Sequence, residues 1–186
     1  MKSNIALIGM AGCGKSLIGE MLARELQLSF VDLDDLLERQ SFMSLNNLIN
    51  RVGDDGFLGL EELSLFKFLS WDPQGFVIAT SGSVVLIEKG TQALREKSSI
   101  IFLDASFELI EERFRTGKTR GSVIGLKNKS LKEIYDQRFP LYMACADLRM
   151  EVGNLRAEEI VERICCWWWP VNHKQMRPRG ICPDSL

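Results

Sequence analysis

Asn4-Ile5-Ala6-Leu7-Ile8-Gly9-Met10-Ala11-Gly12-Cys13-Gly14-Lys15-Ser16 is the stretch on which the reading of the chain turns. Its first part, NIALI at 4–8, is a short and mostly apolar run of the kind found in a strand buried on both faces. Its second part, Gly9 to Ser16, satisfies GxxxxGK[ST]. From Lys15 onward the apolar residues Leu17, Ile18, Met21, Leu22 and Leu26 recur at three and four, which predicts an amphipathic helix. Strand, glycine turn and helix in that order make a cradle for phosphate. Gly9 and Gly14 let successive backbone N–H groups turn toward one anion, and Gly12 leaves further room for close approach. The helix that follows points its positive end at the same place. Lys15 is expected to reach the β- and γ-phosphates and the Ser16 hydroxyl to ligate magnesium. The nucleotide contacts expected from this segment are Gly9, Gly12, Cys13, Gly14, Lys15, Ser16 and Leu17, with ATP and Mg2+ as the implied ligands.

Working outward, further strands are expected at 29–33 (SFVDL), 76–80 (FVIAT), 99–103 (SIIFL) and 148–152 (LRMEV). Between them, 35–40, 45–52 and 60–69 read as helices with polar breaks. A helix from Ser106 to Arg115 has that serine as its N-cap, and another spans 130–146 with a kink at Pro140. A last helix covers 157–167, and Pro170 should stop it. Strands alternating with helices predict an α/β fold: three layers, α/β/α, with a five-stranded parallel sheet of the P-loop kinase type. Residues 116–129 interrupt the pattern with Gly117, Gly121 and Gly125 and several lysines and arginines, which predicts a mobile surface loop. The expected organisation is one kinase domain over 1–169 and a poorly ordered tail over 170–186.

Composition narrows the functional classes. Apolar residues are 46% and charged residues 26% of the 186, enough for a proper core, and the net charge of -2 offers no electrostatic case for nucleic acid or an anionic membrane. No apolar run approaches the ~18 residues of a membrane-spanning helix. Because the amino terminus passes directly into the strand that the phosphate loop needs, a removable signal peptide is not expected. The five cysteines (Cys13, Cys145, Cys165, Cys166, Cys182) form no CxxC pair, and His173 is the single histidine. Reduced thiols in a cytoplasm are the simple expectation, with no zinc constellation. A small hydroxyl-bearing molecule is the expected partner, and the chain itself is expected to be a monomer or weak homodimer.

Asp32 and Asp34 stand as alternate residues at the end of the second strand, where open parallel sheets form their ligand crevice. One could hold the magnesium shell and the other meet a substrate hydroxyl; alternatively, Asp34 caps the next helix. The order of pieces here resembles the shikimate kinases over roughly residues 5–164. The matching pieces are the phosphate loop, Phe30-Val31-Asp32-Leu33-Asp34, Gly53 through Phe57 to Glu61, Val77-Ile78-Ala79-Thr80-Ser81-Gly82-Ser83, the loop with Arg115 and Arg120, and Arg138-Phe139-Pro140-Leu141-Tyr142 before Ala146-Asp147. The resemblance implies a nucleoside-monophosphate-kinase-like fold and transfer of the ATP γ-phosphate to the 3-hydroxyl of shikimate. It implies that Lys15 neutralises the moving phosphoryl group, that Ser16 and Asp32 position magnesium, and that Asp34 binds the acceptor hydroxyl and helps take its proton. It further implies Gly82 and Arg138 as acceptor contacts, the latter gripping a carboxylate, and residues 116–129 as a mobile lid closing over ATP, with Arg120 reaching the phosphates and Arg115 near the adenine.

Three departures from the resembled family fall at the acceptor end. Leu58 stands where those kinases carry an arginine that shares the acceptor carboxylate, which leaves Glu61 without an evident partner; Arg51 is a candidate substitute. Ser81-Gly82-Ser83 replaces a triple glycine, which should reshape the pocket. Gly121 follows Arg120 where proline is normal, which should loosen the lid. The phosphate machinery is intact, so homoserine or a sugar acid stands beside shikimate as the acceptor, and a nucleotide-binding regulatory role is a third reading. The run Cys165-Cys166-Trp167-Trp168-Trp169-Pro170 should leave at least one tryptophan exposed or packed on a neighbour.

Overall fold

The computed structural model describes residues 2–119 and 122–172. Five strands form one parallel sheet in the order β2-β3-β1-β4-β5: β1 (Asn4–Ile8), β2 (Ser29–Asp32), β3 (Phe76–Ala79), β4 (Ser98–Ala105) and β5 (Leu148–Val152). Every residue of β1 and β4 is buried, as continuous apolar runs at the centre of a parallel sheet require. At the edge, β5 alternates between exposed and buried. The helices are α1 (Lys15–Leu26), α2 (Leu33–Ser41), α3 (Leu45–Leu69), α4 (Glu88–Lys97), α5 (Phe107–Arg115), α6 (Leu131–Cys145) and α7 (Ala157–Asn172). The chain leaves β1 in one direction to reach β2 and returns in the other to reach β3, β4 and β5. Right-handed crossovers therefore put α1 on one face and α3, α4 and α6 on the other, giving three layers. α7 completes the first face by packing on α1.

Several boundaries differ from those the sequence predicts. α2 begins at Leu33 because Asp32, not Asp34, is its N-cap: the Asp32 carboxylate accepts from the backbone N–H groups of Asp34 and Asp35. α3 runs through the region expected to be a polar break. Its one interruption is Gly53 (φ 76°, ψ 176°), and helix resumes at Asp54. α4 has no counterpart in the sequence reading, since few of its residues are apolar, and it buries only Gly90, Thr91 and Leu94. α6 continues through Pro140 as one helix. Pro170 does not stop α7, which extends to Asn172; a missing N–H so close to a helix end removes a single bond. Trp168 is buried, and Trp167 and Trp169 are half-buried against the main core, so the tryptophan run packs on its own domain. Cys182 and His173 lie outside the described residues, as does nearly all of the expected tail.

The core has two parts. The larger surrounds the sheet; the smaller gathers Leu37, Leu45, Leu48, Ile49, Phe57 and Ile124. Ile124 belongs to the segment expected to be a lid. With Val123 it is buried, and Gly125 donates its N–H to the Asp54 carboxylate at 3.0 Å. Ile124 packs among Leu37 of α2 and Leu45, Leu48, Ile49 and Phe57 of α3, while Val123 joins the larger core, a placement that the segment's basic and glycine-rich composition does not suggest. Among the described residues no helix is long and apolar enough to cross a membrane.

Candidate active site

The phosphate loop lies between the end of β1 and the start of α1, at the centre of the sheet. Gly9 has φ +142°, and a Cβ there would stand 2.6 Å from the Leu103 carbonyl oxygen of β4, so only glycine lets the loop leave the sheet at this point. Gly14 caps α1 at φ +109°, again in the glycine region. The Lys15 side chain folds back over its own loop, and its ammonium donates to the carbonyls of Gly9 (2.8 Å) and Met10 (3.0 Å). Only 8% of the residue is exposed. The Cys13 thiol is 3.9 Å away from the same nitrogen.

A cavity of about 450 Å³ opens over this loop. Gly12, Cys13, Gly14, Lys15, Ser16 and Leu17 line it, and so do Asp32 and Asp34 from the end of β2. Gly9 does not; it shapes the turn from beneath. The Ser16 hydroxyl donates to Asp32 Oδ2 at 2.6 Å, so the two residues expected to share a metal are already in contact. Asp34 lies beside them. Burial pushes its carboxyl up to about 6, the nearby Lys15 ammonium pulls it back down, and the Asp32 carboxylate adds to the rise. The far wall, formed by Val152, Leu155, Ala157 and Ile160, is apolar.

The arginines are arranged differently from the sequence expectation. Arg115 is exposed and is not among the cavity residues. Arg113, two positions earlier on α5, lines the cavity and donates from Nη1 to the Gly12 carbonyl. Lys118 and Thr119 also line it. Arg120 lies outside the described residues. The phase of α5 against the phosphate loop selects Arg113, and nothing local in the sequence reports that phase.

Arg138 and Gly82, expected as acceptor contacts, are not among the residues that line this cavity; Arg138 is buried, with 3% exposure. Its guanidinium spans two backbone carbonyls, Gly82 from Nη1 at 3.1 Å and Ile124 from Nη2 at 3.0 Å. The Gly82 carbonyl also accepts the hydroxyl of the fully buried Tyr142. Glu61, left partnerless by the sequence reading, is partnered: both of its carboxylate oxygens lie against the Ser83 hydroxyl, at 2.6 and 2.8 Å. Burial pushes the Glu61 carboxyl up to about 7, against the hydrogen bonds from Ser81 and Ser83. Arg51 does not replace the absent arginine; it is exposed, with its guanidinium against the Met43 sulfur.

Comparison with known proteins agrees with this arrangement. The family model for shikimate kinase matches residues 11–168. A shikimate kinase of Dictyoglomus turgidum is 33% identical over 167 residues, covering 88% of this chain and 96% of that protein. One from Francisella tularensis subsp. novicida is 32% identical over 164 residues, covering 87% and 92%. Among solved structures, shikimate kinase from Acinetobacter baumannii in complex with shikimate superimposes with a TM-score of 0.82 at 24% identity, covering 93% of this chain and 96% of that one. The Aquifex aeolicus enzyme gives 0.73 at 24% identity, with 90% and 97% covered, so the fold is shared as well. With the family model spanning most of the chain, and relatives above 30% identity covered almost end to end, the chain belongs to the shikimate kinase family of small-molecule kinases.

Proposed function

We propose that the protein transfers the γ-phosphoryl group of ATP to the 3-hydroxyl of shikimate. The observation that carries the reading is the joining of two sets of groups in one cavity: the phosphate loop with Lys15, and the acceptor-side carboxylate Asp34. The relatives' names supply the acceptor, and the Acinetobacter protein holds shikimate in the same fold.

On this reading the loop amides and Lys15 bind the triphosphate, and the Lys15 ammonium stands where charge builds on the transferring group. The apolar wall of Val152, Leu155 and Ile160 offers a surface to the base. Ser16 and Asp32 supply hard oxygen donors, the type a magnesium ion takes. Among the described residues no three acidic, histidine or cysteine side chains cluster as a metal cage, so such an ion would draw its other ligands from phosphate and water. When bound, it would neutralise phosphate charge. Asp34, with its carboxyl at about 6, is largely ionised at neutral pH yet basic enough to accept the proton of the attacking hydroxyl. Arg138 keeps further N–H groups beyond the two it spends on carbonyls, and these can meet an acceptor carboxylate.

A second reading, a kinase of this build for another small hydroxy acceptor, is favoured by one observation: Glu61 is bonded to a serine instead of a cation. A coupled ADP-release assay with shikimate, homoserine and gluconate tests both. Turnover on shikimate at modest concentration supports the first reading; turnover confined to another acceptor overturns it.

A further inference from the structure

We infer that Glu61 and Ser83 form a positioning pair whose work is to leave Arg138 free for the acceptor. The inference rests on the reading of Arg138 as an acceptor contact. Glu61, on the second half of α3, is 7% exposed, and Ser83, in the turn after β3, is 5% exposed. A buried carboxylate needs donors, and a missing donor is costly. Leu58, three positions earlier on the same helical face, supplies none. The Ser83 hydroxyl does, lying 2.6 and 2.8 Å from the two oxygens, with the Ser81 hydroxyl 3.4 Å behind it.

The turn that carries these serines is held on every side. Its middle residue, Gly82, is so close to the phosphate loop that a Cβ would stand 3.0 Å from the Ala11 nitrogen. The Gly82 carbonyl is one of the two anchors of Arg138, and the other is Ile124 in the lid segment. The Arg138 charge lies near enough to pull the Glu61 carboxyl down, though less than the serine hydroxyls do. If Ser83 did not occupy the carboxylate, the nearby guanidinium would be drawn to it, away from Gly82, Ile124 and the acceptor. The serine hydroxyl therefore keeps a buried carboxylate and a buried guanidinium apart.

This arrangement predicts a particular epistasis. Ser83→Ala should raise the acceptor KM about tenfold, the loss of roughly one charge-assisted hydrogen bond, while the ATP KM moves less than about twofold. Ser83→Thr, which keeps the hydroxyl, should restore the parent value. Glu61→Gln added to Ser83→Ala should bring the acceptor KM back toward the parent, because an amide does not attract the guanidinium. A simple packing defect at Ser83 would not be cured by a second substitution. Ser83→Gly removes the hydroxyl without adding bulk and serves if the alanine variant does not fold.

A second arm needs no acceptor: hydrogen exchange of the amides at 122–126 in the free protein. It should speed up in Ser83→Ala and return to the parent rate in Glu61→Gln/Ser83→Ala, since Arg138 tethers the Ile124 carbonyl. Unchanged exchange and unchanged acceptor KM in Ser83→Ala, or effects of the two substitutions that simply multiply, would overturn the inference. If the parent fails to phosphorylate shikimate, the proposed acceptor falls, and the exchange arm still decides the role of the pair.

Discussion

Arg113 reaches from α5 to the Gly12 carbonyl and so ties that helix to the phosphate loop itself. It combines a cation lining the cavity with a brace on the loop's own backbone. Replacing it with alanine removes both. Arg113→Ala is expected to raise the ATP KM by about tenfold, the scale of one hydrogen bond to a charged group. Arg115→Ala, on the exposed face of the same helix, should leave it within about twofold. Steady-state kinetics on the two variants side by side checks the assignment; the reverse order of effects would return the role to Arg115.

Lys15 is held by two loop carbonyls while standing in the cavity, so it is placed before any phosphate arrives. Lys15→Ala should lower kcat by at least ~100-fold, as loss of a preorganised charge at a transition state does. Since the ammonium also braces Gly9 and Met10, a modest loss of melting temperature should accompany it. Turnover near the parent rate would refute the role.

The site and its scaffold were legible in the sequence to different depths. The phosphate loop was legible because strand, turn and helix are consecutive and each glycine answers a local backbone need. The sheet was legible because β1, β3 and β4 are apolar runs bounded by breaks. What was missed depends on contacts between distant segments. That Arg113 and not Arg115 lines the cavity depends on how α5 is rotated against Gly12, about a hundred residues away in the chain. The partner of Glu61 is 22 residues distant, in a turn whose serines the sequence presents only as bulk added to a glycine motif. The mostly polar α4 carries too few apolar positions to announce itself.

Asp32 has two duties, capping α2 through the amides of Asp34 and Asp35 and accepting the Ser16 hydroxyl. They can be separated. Asn is as good an N-cap as Asp, so Asp32→Asn should keep the fold within a few tenths of a kcal/mol. It should nonetheless raise the magnesium concentration needed for half-maximal rate, because the anionic oxygen is gone. Asp32→Ala should show both defects, with about 1 kcal/mol of stability lost. A magnesium titration and a denaturant melt on each variant distinguish the two duties. An unchanged magnesium requirement in Asp32→Asn would remove Asp32 from the metal site.

Asp34 and Glu61 give the protein a pH signature. Both carboxyls rise, from 3.8 to about 6 and from 4.5 to about 7, mainly through burial. The folded state thus holds more protons than the unfolded chain across that window, and its stability falls as pH rises through it. Glu61→Gln should flatten the decline, with a difference of up to roughly 3 kcal/mol between the two ends, the equivalent of the Glu61 shift. Activity runs the other way: kcat/KM should climb toward a plateau above about pH 6, as Asp34 ionises to serve as base. Asp34→Asn should be nearly inactive and lose that rise. Denaturant unfolding at pH 5 and pH 8, with a pH–rate profile, measures both trends.

Leu58→Arg tests the acceptor end from the opposite direction. Leu58 is half-buried on α3, one turn before Glu61 on the same face. An arginine there can reach the Glu61 carboxylate, whose charged form is at present stabilised by the serine hydroxyls and, from nearby, by Arg138. The new cation should draw the Glu61 carboxyl well below its present value of about 7, visible as a shifted carbon resonance in a pH titration. It should also offer a second guanidinium to a carboxylate-bearing acceptor, and the acceptor KM should fall by about tenfold. The Ser83 hydroxyl should then matter less, because Glu61 has a cation of its own and no longer competes for Arg138. Ser83→Ala in the Leu58→Arg background is therefore expected to cost under about threefold in acceptor KM, against about tenfold in the parent. An acceptor KM that is unchanged or higher in Leu58→Arg would mean that the carboxylate of the acceptor does not lie between α3 and Arg138.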